Sequence, residues 1–452
     1  MTERDAGAGR EPLGRNYWLL LTSSGVSNLG DGISSAALPL LATLITSDPL
    51  AFSGVAVASR LPWLLFALQA GAIADRVDRR RLMVAMQAAR FALFGVIGLA
   101  ALGDWATMPL LYVVSLAVGV CETLYDNAAQ AFLPSLVDKD RLERANGRLF
   151  SVEWSANQFI GPPLGGLLFA VAVSLPILLN AGTFLVSAAL LAVISGRFGP
   201  GERARAAQAR RAAPAAQGPA DVDTTPAIAD APDIAVLTEP VAASSLWAEI
   251  REGLRWLWQH RVLRTLGILL GISNGATTMG FATFALYATD EDILGLGETG
   301  FGLLLTAGGV GSVIGGLLAD RIVDRIGRAA ALWGALITFP LCSLVYVFAG
   351  HWSVIAITSI VFIFAGTVWN VITVSLRQTI IPDHLLGRVN SVYRFLGWGS
   401  MPVGALIGGL IADGFGLRAP WLVGAVLMAV PLPFAARTLT GRAVEAARAA
   451  AE

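Results

Sequence analysis

Four carboxylates occupy places where water is scarce. Asp31, Glu122, Asp126 and Glu153 each interrupt a long run of small and apolar residues, and two arginines, Arg60 and Arg90, interrupt runs in the same half of the chain. Counting ~1.5 Å per helical residue from the arginine-rich end of each run puts Asp31 and Arg60 about 22 Å deep and Glu122 about 20 Å deep. Arg90, Asp126 and Glu153 lie near about 14 Å by the same count. Glu122 and Asp126 are spaced i, i+4 and so share a helix face. In a low-dielectric medium a carboxylate with no cation beside it takes up a proton, and acids at such depth are the usual proton relays. Four acids against two arginines leave two carboxylates over. The expected arrangement pairs Asp31 with Arg60 and has at least one of Glu122, Asp126 and Glu153 exchanging a proton. The plainer alternatives are a fixed salt bridge for Asp31 and a water-facing gate position for Glu153.

The medium around these groups follows from composition. Of 452 residues, 55% are hydrophobic and 14% charged, with a mean hydropathy of +0.65. A soluble domain needs more charge to keep its surface wet. Here the charges cluster between apolar stretches of roughly 20 residues, the length that crosses a ~30 Å hydrocarbon layer. Such stretches run over 17–45, 51–74, 82–102, 107–134, 145–172 and 174–195, then 262–288, 299–319, 329–349, 352–380, 389–413 and 418–436. The fold class expected is an all-α membrane protein of twelve spans. One set of connections holds Arg76, Arg79, Arg80, Arg81, Lys139, Arg141, Arg144, Arg321, Arg325, Arg328 and Arg388; the alternate set holds Asp48, Asp104, Asp290, Glu291, Asp292 and Glu298. Arginine marks the cytoplasmic side, which places both termini in the cytoplasm of a bacterial inner membrane. The polar N-terminus carries no signal peptide pattern.

Residues 196–245, rich in Ala, Pro, Arg and Asp, read as a disordered cytoplasmic linker. Residues 246–260 place Leu246, Ile250, Leu254, Leu257 and Trp258 near one helical face, opposite Glu249, Arg251 and Glu252. That pattern suits an amphipathic helix on the inner leaflet, or else an extension of the following span. The expected organisation is a tail at 1–16, a six-helix bundle at 17–195, the linker, the amphipathic helix, a second bundle at 261–437 and a tail at 438–452.

The two bundles are copies. "GAIADRVDRR" at 71–80 recurs as "GLLADRIVDR" at 316–325, matching Asp75 and Arg76 to Asp320 and Arg321. "RANGRLFSVEW" at 144–154 recurs as "RVNSVYRFLGW" at 388–398. Two parallel repeats around a central midplane site form a transporter architecture. "GAIADRVDRRR" resembles the loop signature of the major facilitator superfamily, and "GPPLGG" at 161–166 matches the core of its antiporter motif. The stretch from Glu122 to Gly166 resembles the drug:proton antiporter-3 branch, the macrolide-efflux-like and enterobactin-exporter-like proteins. Asp78 stands where the loop signature has glycine, and Asn157 where the antiporter motif opens with glycine.

The resemblance implies a latch in which Gly71 admits a close helix and Asp75 accepts N–H groups from a neighbouring helix start. Arg76, Arg79 and Arg80 would pair with acids under the opposite bundle, and Asp320 and Arg321 would echo the latch. Gly161, Pro162, Gly165 and Gly166 give a kinked, closely packed fifth span that blocks ion leak. Arg90 falls on the third span, peripheral in this superfamily, which suggests a structural role. Tyr125, Trp154, Trp369, Asn370 and Trp398 are candidates for an apolar substrate cavity, with lipid-facing or packing roles as the alternative. The function expected is proton-coupled export of an amphiphilic small molecule by a monomer. Its partners are protons and membrane lipid, not nucleic acid, and it uses no cofactor beyond the proton gradient. A siderophore or metabolite exporter or importer, or a transport-dead scaffold, remains open. Three histidines near loops and two cysteines in apolar runs offer no metal or nucleophile constellation.

Overall fold

A computed structural model describes residues 13–137, 141–196, 198 and 246–449; most of the expected linker and both extreme ends lie outside these. Everything described is helical or a connection between helices. The first half holds α1 (Arg15–Ile45), α2 (Pro49–Arg76), α3 (Arg79–Leu102), α4 (Met108–Phe132), α5 (Leu142–Trp154), α6 (Gly161–Val171) and α7 (Leu175–Ala192). The second holds α8 (Leu246–Gln259), α9 (Arg261–Phe281), α10 (Phe284–Thr289), α11 (Glu298–Ile326), α12 (Arg328–Phe348), α13 (Trp352–Ile380), α14 (Asp383–Phe415), α15 (Ala419–Ala429), α16 (Leu432–Ala436) and α17 (Gly441–Ala449). Between their end turns, helices satisfy backbone N–H and C=O groups internally, the condition for crossing hydrocarbon.

Helix starts are set locally. Asp48 Oδ1 accepts the Leu50 N–H at 2.8 Å, and Pro49 supplies a helical φ. Asp78 Oδ1 accepts the Arg81 N–H at 3.0 Å, so the residue that replaces the signature glycine begins α3. Its Oδ2 accepts the Phe198 N–H at 3.2 Å, tying that loop to the end of the first half.

Among the described residues, ten helical segments are long and apolar enough to cross a membrane. The stretches 145–172 and 262–288 are not among them: both are divided, and the 21-residue α9, long enough by itself, carries Arg264, Ser273, Asn274, Thr277 and Thr278 in its apolar run. The first passes from α5 through a π-helical turn, Ser155–Ile160, into α6. The second breaks at Ala282 and Thr283 between α9 and α10.

Three buried clusters hold the molecule together. One draws only on residues between Leu13 and Ile194, a second only on residues between Leu257 and Val444. The third contains both halves, with Ala37, Leu40, Phe52 and Phe184 packed alongside Phe284, Tyr287, Phe301 and Trp421. It lies at the helix ends that carry the acidic connections. Among the described residues, one buried core therefore serves both halves at the acidic end, while the buried clusters toward the arginine-rich end each draw on one half.

Candidate functional site: a charged layer in the first half

The centre of the first half is a polar layer between α1, α3, α4, α5 and α7. Asp31 on α1 pairs with Arg90 on α3, Oδ1 to Nη2 at 2.5 Å. The guanidinium is 3% exposed, the carboxylate 28%. Arg90 Cζ lies over the Phe184 ring of α7, 4.0 Å from its centroid, and its Nη1 donates to Gln87 Oε1 at 3.3 Å. Gln87 in turn donates to Ser27 Oγ at 2.9 Å and Ser187 Oγ at 2.8 Å, and Ser187 shares a 2.7 Å hydrogen bond with Ser23. A cation that would be costly in a buried site is thus held by a carboxylate, an aromatic face and a chain of hydroxyls and amides.

This corrects two expectations. Asp31 does not pair with Arg60, and Arg90 is not peripheral. Arg60 is exposed on α2. Ser53 and Leu64 of α2 meet Gly409 and Gly399 of α14, and at ~100° per residue Arg60 falls on that same face. It points to the other half, away from α1. Arg90 reaches Asp31 because α3 packs on α4 and α7, which aims its inner face at α1.

The remaining acids stand without cations. Neither Glu122 nor Asp126 forms a hydrogen bond or ion pair among the described residues. Both are within electrostatic reach of Arg90, as is Asp31. Glu122 borders a small cavity of about 70 Å³ whose walls include Ser59, Phe94, Val114 and Ser115. Glu153 on α5 accepts a hydrogen bond from Ser24 Oγ of α1. Tyr125, between Glu122 and Asp126 on the same helix, is 6% exposed with its hydroxyl unpartnered. With Arg60 turned away, three carboxylates rather than two are left over.

The antiporter-motif residues act as spacers. A Cβ on Gly161 would collide with the backbone of Gly32, one on Gly165 with Ile33 O, and one on Gly166 with Glu298 O. Across from them a Cβ on Gly32 would lie 2.5 Å from Asn157 O, and one on Gly302 2.5 Å from Pro162 O. Thus α6 lies hard against α1 on one side and against α11 of the second half on the other. Pro162 and Pro163 have no N–H to give the preceding turn; the chain widens there instead, and Gly161 N–H donates five residues back to Ala156 O.

Part of the expected latch lies within the described residues. Arg79 Nη1 donates to Ala131 O at 2.5 Å and Arg80 Nη1 to Ile194 O at 2.6 Å. Both oxygens lie at helix C-termini of their own half, where carbonyls are left over and the dipole end is negative. Arg76 is exposed, as are Asp320 and Arg321, the latter donating to Leu317 O of its own helix at 3.2 Å. Gly71 and Asp75 lie in the last turns of α2, their side-chain positions outside the described residues.

Of the aromatic candidates, Tyr125 and Trp369 do not line open space. Trp369 is 7% exposed, packed in the core of the second half, because its position on α13 faces inward. Asn370 beside it is exposed. Trp398 is exposed and meets Trp63 of the first half, ring centroids 4.7 Å apart. Trp154 stacks on Phe150 at 5.4 Å. The Gln87 network went unseen in the sequence, although Ser23 and Ser27 at i, i+4 and Gln87 and Arg90 at i, i+3 carried its signal.

An all-helical chain with many membrane-length helices, closed at one end and holding a charged layer inside, is a multi-pass membrane transporter. It belongs to the major facilitator superfamily: residues 11–199 match the family model described as transmembrane secretion effector, and residues 267–451 match that of the Major Facilitator Superfamily itself. The chain is 28% identical over 415 residues to the multidrug efflux pump Tap of Mycolicibacterium fortuitum, covering 89% of this chain and 91% of that one. Against the Tap pump of Mycobacterium tuberculosis (strain ATCC 25618 / H37Rv) it is 26% identical over 435 residues, 92% and 93% of the two chains. Among solved structures it shares the fold of a bacterial homologue of the iron transporter ferroportin in its inward-facing state, with a TM-score of 0.64, 17% identity and coverage of 92% and 98%.

Proposed function

We propose that the protein is a proton-driven exporter of amphiphilic small molecules, drugs among them, in the bacterial cytoplasmic membrane. Similarity to the Tap pumps along nearly the whole chain supports the efflux reading. The twelve stretches form two six-helix bundles, with α5 and α6 making one interrupted span and α9 and α10 another. The termini and the arginine-rich connections face the cytoplasm. The state described is then open inward, with the acidic end closed toward the outside.

The observation that carries proton coupling is the pair of unpartnered carboxylates, Glu122 and Asp126, one helical turn apart beside a single buried arginine already engaged by Asp31. Three acids compete for one cation, so the number of protons they hold decides how tightly α4 is drawn toward α1 and α3. A proton taken from outside and released inside biases the two bundle arrangements in opposite directions, which is a population shift. Cargo enters between the halves at the arginine-rich end and leaves when the shared core at the acidic end parts. Trp398, Trp63 and Asn370 offer contacts to it, and a single copy of the chain is enough.

The test is efflux of a fluorescent amphiphilic drug from proteoliposomes under an imposed pH gradient. Glu122→Gln and Asp126→Asn should each retain drug binding and lose gradient-driven efflux. Efflux that stays coupled to the gradient in the double variant Glu122→Gln/Asp126→Asn would remove the basis for the proposal.

A further inference from the structure

A second cavity lies outside the charged layer. A cleft of about 460 Å³ opens between α1 and α5 at the arginine-rich end, its walls including Trp18, Leu21, Arg144, Arg148 and Val152. Its volume lies within the range of small-molecule sites. Arg148 lies over the Trp18 ring, 5.7 Å from the centroid, and the indole is 48% exposed.

The cleft faces away from the transport pathway. Arg148 and Glu153 are five residues apart on α5, a rotation of about 140°, and Arg144 is nine residues from Glu153, about half a turn round. Glu153 points to the polar layer through its hydrogen bond with Ser24, so the two arginines project from the opposite side of the helix, where Arg144 is exposed. Trp18 is in the first turn of α1, about 5 Å from the helix end, the level at which indoles sit among headgroups. Arg144 is in the first turn of α5, where the positive end of the helix dipole adds to its charge.

We propose that this cleft binds the phosphate headgroup of an anionic phospholipid in the adjacent leaflet. Arg144 and Arg148 meet the phosphate, the Trp18 indole lies at the glycerol level, and Leu21 and Val152 line the first methylenes of an acyl chain. Basic pockets between membrane helices on the cytoplasmic side recognise anionic headgroups in this manner. The apolar part of the wall is what a free phosphate ion would leave unused. The site is independent of the proton-coupling assignment, since it shares no residue with the charged layer.

Native mass spectrometry of the full chain, released from detergent with dioleoylphosphatidylglycerol or dioleoylphosphatidylcholine, tests this. The wild type should retain phosphatidylglycerol in preference to phosphatidylcholine, and Arg144→Gln/Arg148→Gln should weaken that retention about 30-fold, as expected for two cationic contacts near a membrane surface. Phosphatidylcholine, whose own choline cation already balances its phosphate, should lose much less, and Arg144→Lys/Arg148→Lys should recover most of the preference. Equal retention of phosphatidylglycerol by the wild type and the glutamine variant would overturn the proposal. So would displacement of the lipid by millimolar inorganic phosphate, which would make the cleft a free-anion site, or a gain in retention on removing residues 1–12, which would make the chain's own N-terminal segment the occupant.

Discussion

Gly302→Ala tests whether the acidic end works as a gate. Its new Cβ would lie 2.5 Å from Pro162 O and 3.2 Å from Gly166 Cα, about 0.9 Å short of ordinary contact with the carbonyl. Both neighbours are backbone, so no side chain can swing aside, and α6 and α11 must separate. Overpacking of this size costs about 1–3 kcal/mol. The strain falls only on the state in which the two halves share a core at that end, so the equilibrium should move toward opening there by a factor of about 5–150. The readout is a reporter cysteine at Ala288, fully buried in the shared cluster, in a chain whose two native cysteines are replaced by alanine. An impermeant maleimide added from the acidic side should label it faster in Gly302→Ala by that factor. Gly182→Ala, whose Cβ would meet nothing within 4 Å, should leave the rate unchanged. An unaltered labelling rate in Gly302→Ala, with folding intact, would mean that the seam is not specific to the closed state.

Further outcomes follow from the same structure. Asp31→Asn strands the Arg90 cation in a buried site and should lower stability by about 3–5 kcal/mol; Asp31→Asn/Arg90→Gln should recover part of this, both measured by thermal unfolding in detergent. Arg80→Gln removes the donor to Ile194 O at the end of α7 and should cost about 0.5–2 kcal/mol while leaving drug binding unchanged. His260 accepts the Leu263 N–H at the start of α9, and burial holds its imidazole below the ordinary histidine range. The unfolded state therefore binds the proton more readily, so stability falls as pH drops below ~6.5. Protection factors of the Leu263 and Arg264 amides, which correct for the slower intrinsic exchange in acid, should fall between pH 7 and 5.5 in the wild type, and that fall should vanish in His260→Ala.

The sequence called for a cation beside Asp31 but named the wrong one. Counting residues put Arg60 level with Asp31 and Arg90 about 8 Å lower, a gap that the long arginine side chain spans. Depth also carries no azimuth: which way α2 and α3 turn is decided by packing on α14 and α7, contacts far off in the chain. The glycines of 161–166 were legible as a close-approach motif because absence of a side chain has one dominant use in a membrane helix. Which helices they touch was not, and neither was the seam to Gly302. The prolines announced an irregular fifth span, yet the π turn ahead of them depends on where the freed carbonyls find room. Arg79 and Arg80 were legible as charges only, whereas each also donates to a carbonyl at a helix end of its own half, a group that no list of charged residues contains.

The widened turn at Ser155–Ile160 also changes the phase of everything after it. One residue beyond a regular α-helical count rotates α6 by roughly 100° relative to α5, so a single strand of chain offers Glu153 to the polar layer and then presents its glycines to α1 and α11. Deleting one residue between 155 and 160 would straighten the ladder and swing the glycine edge off both neighbours. A one-residue deletion there would cost the molecule its fit between halves while altering no charge.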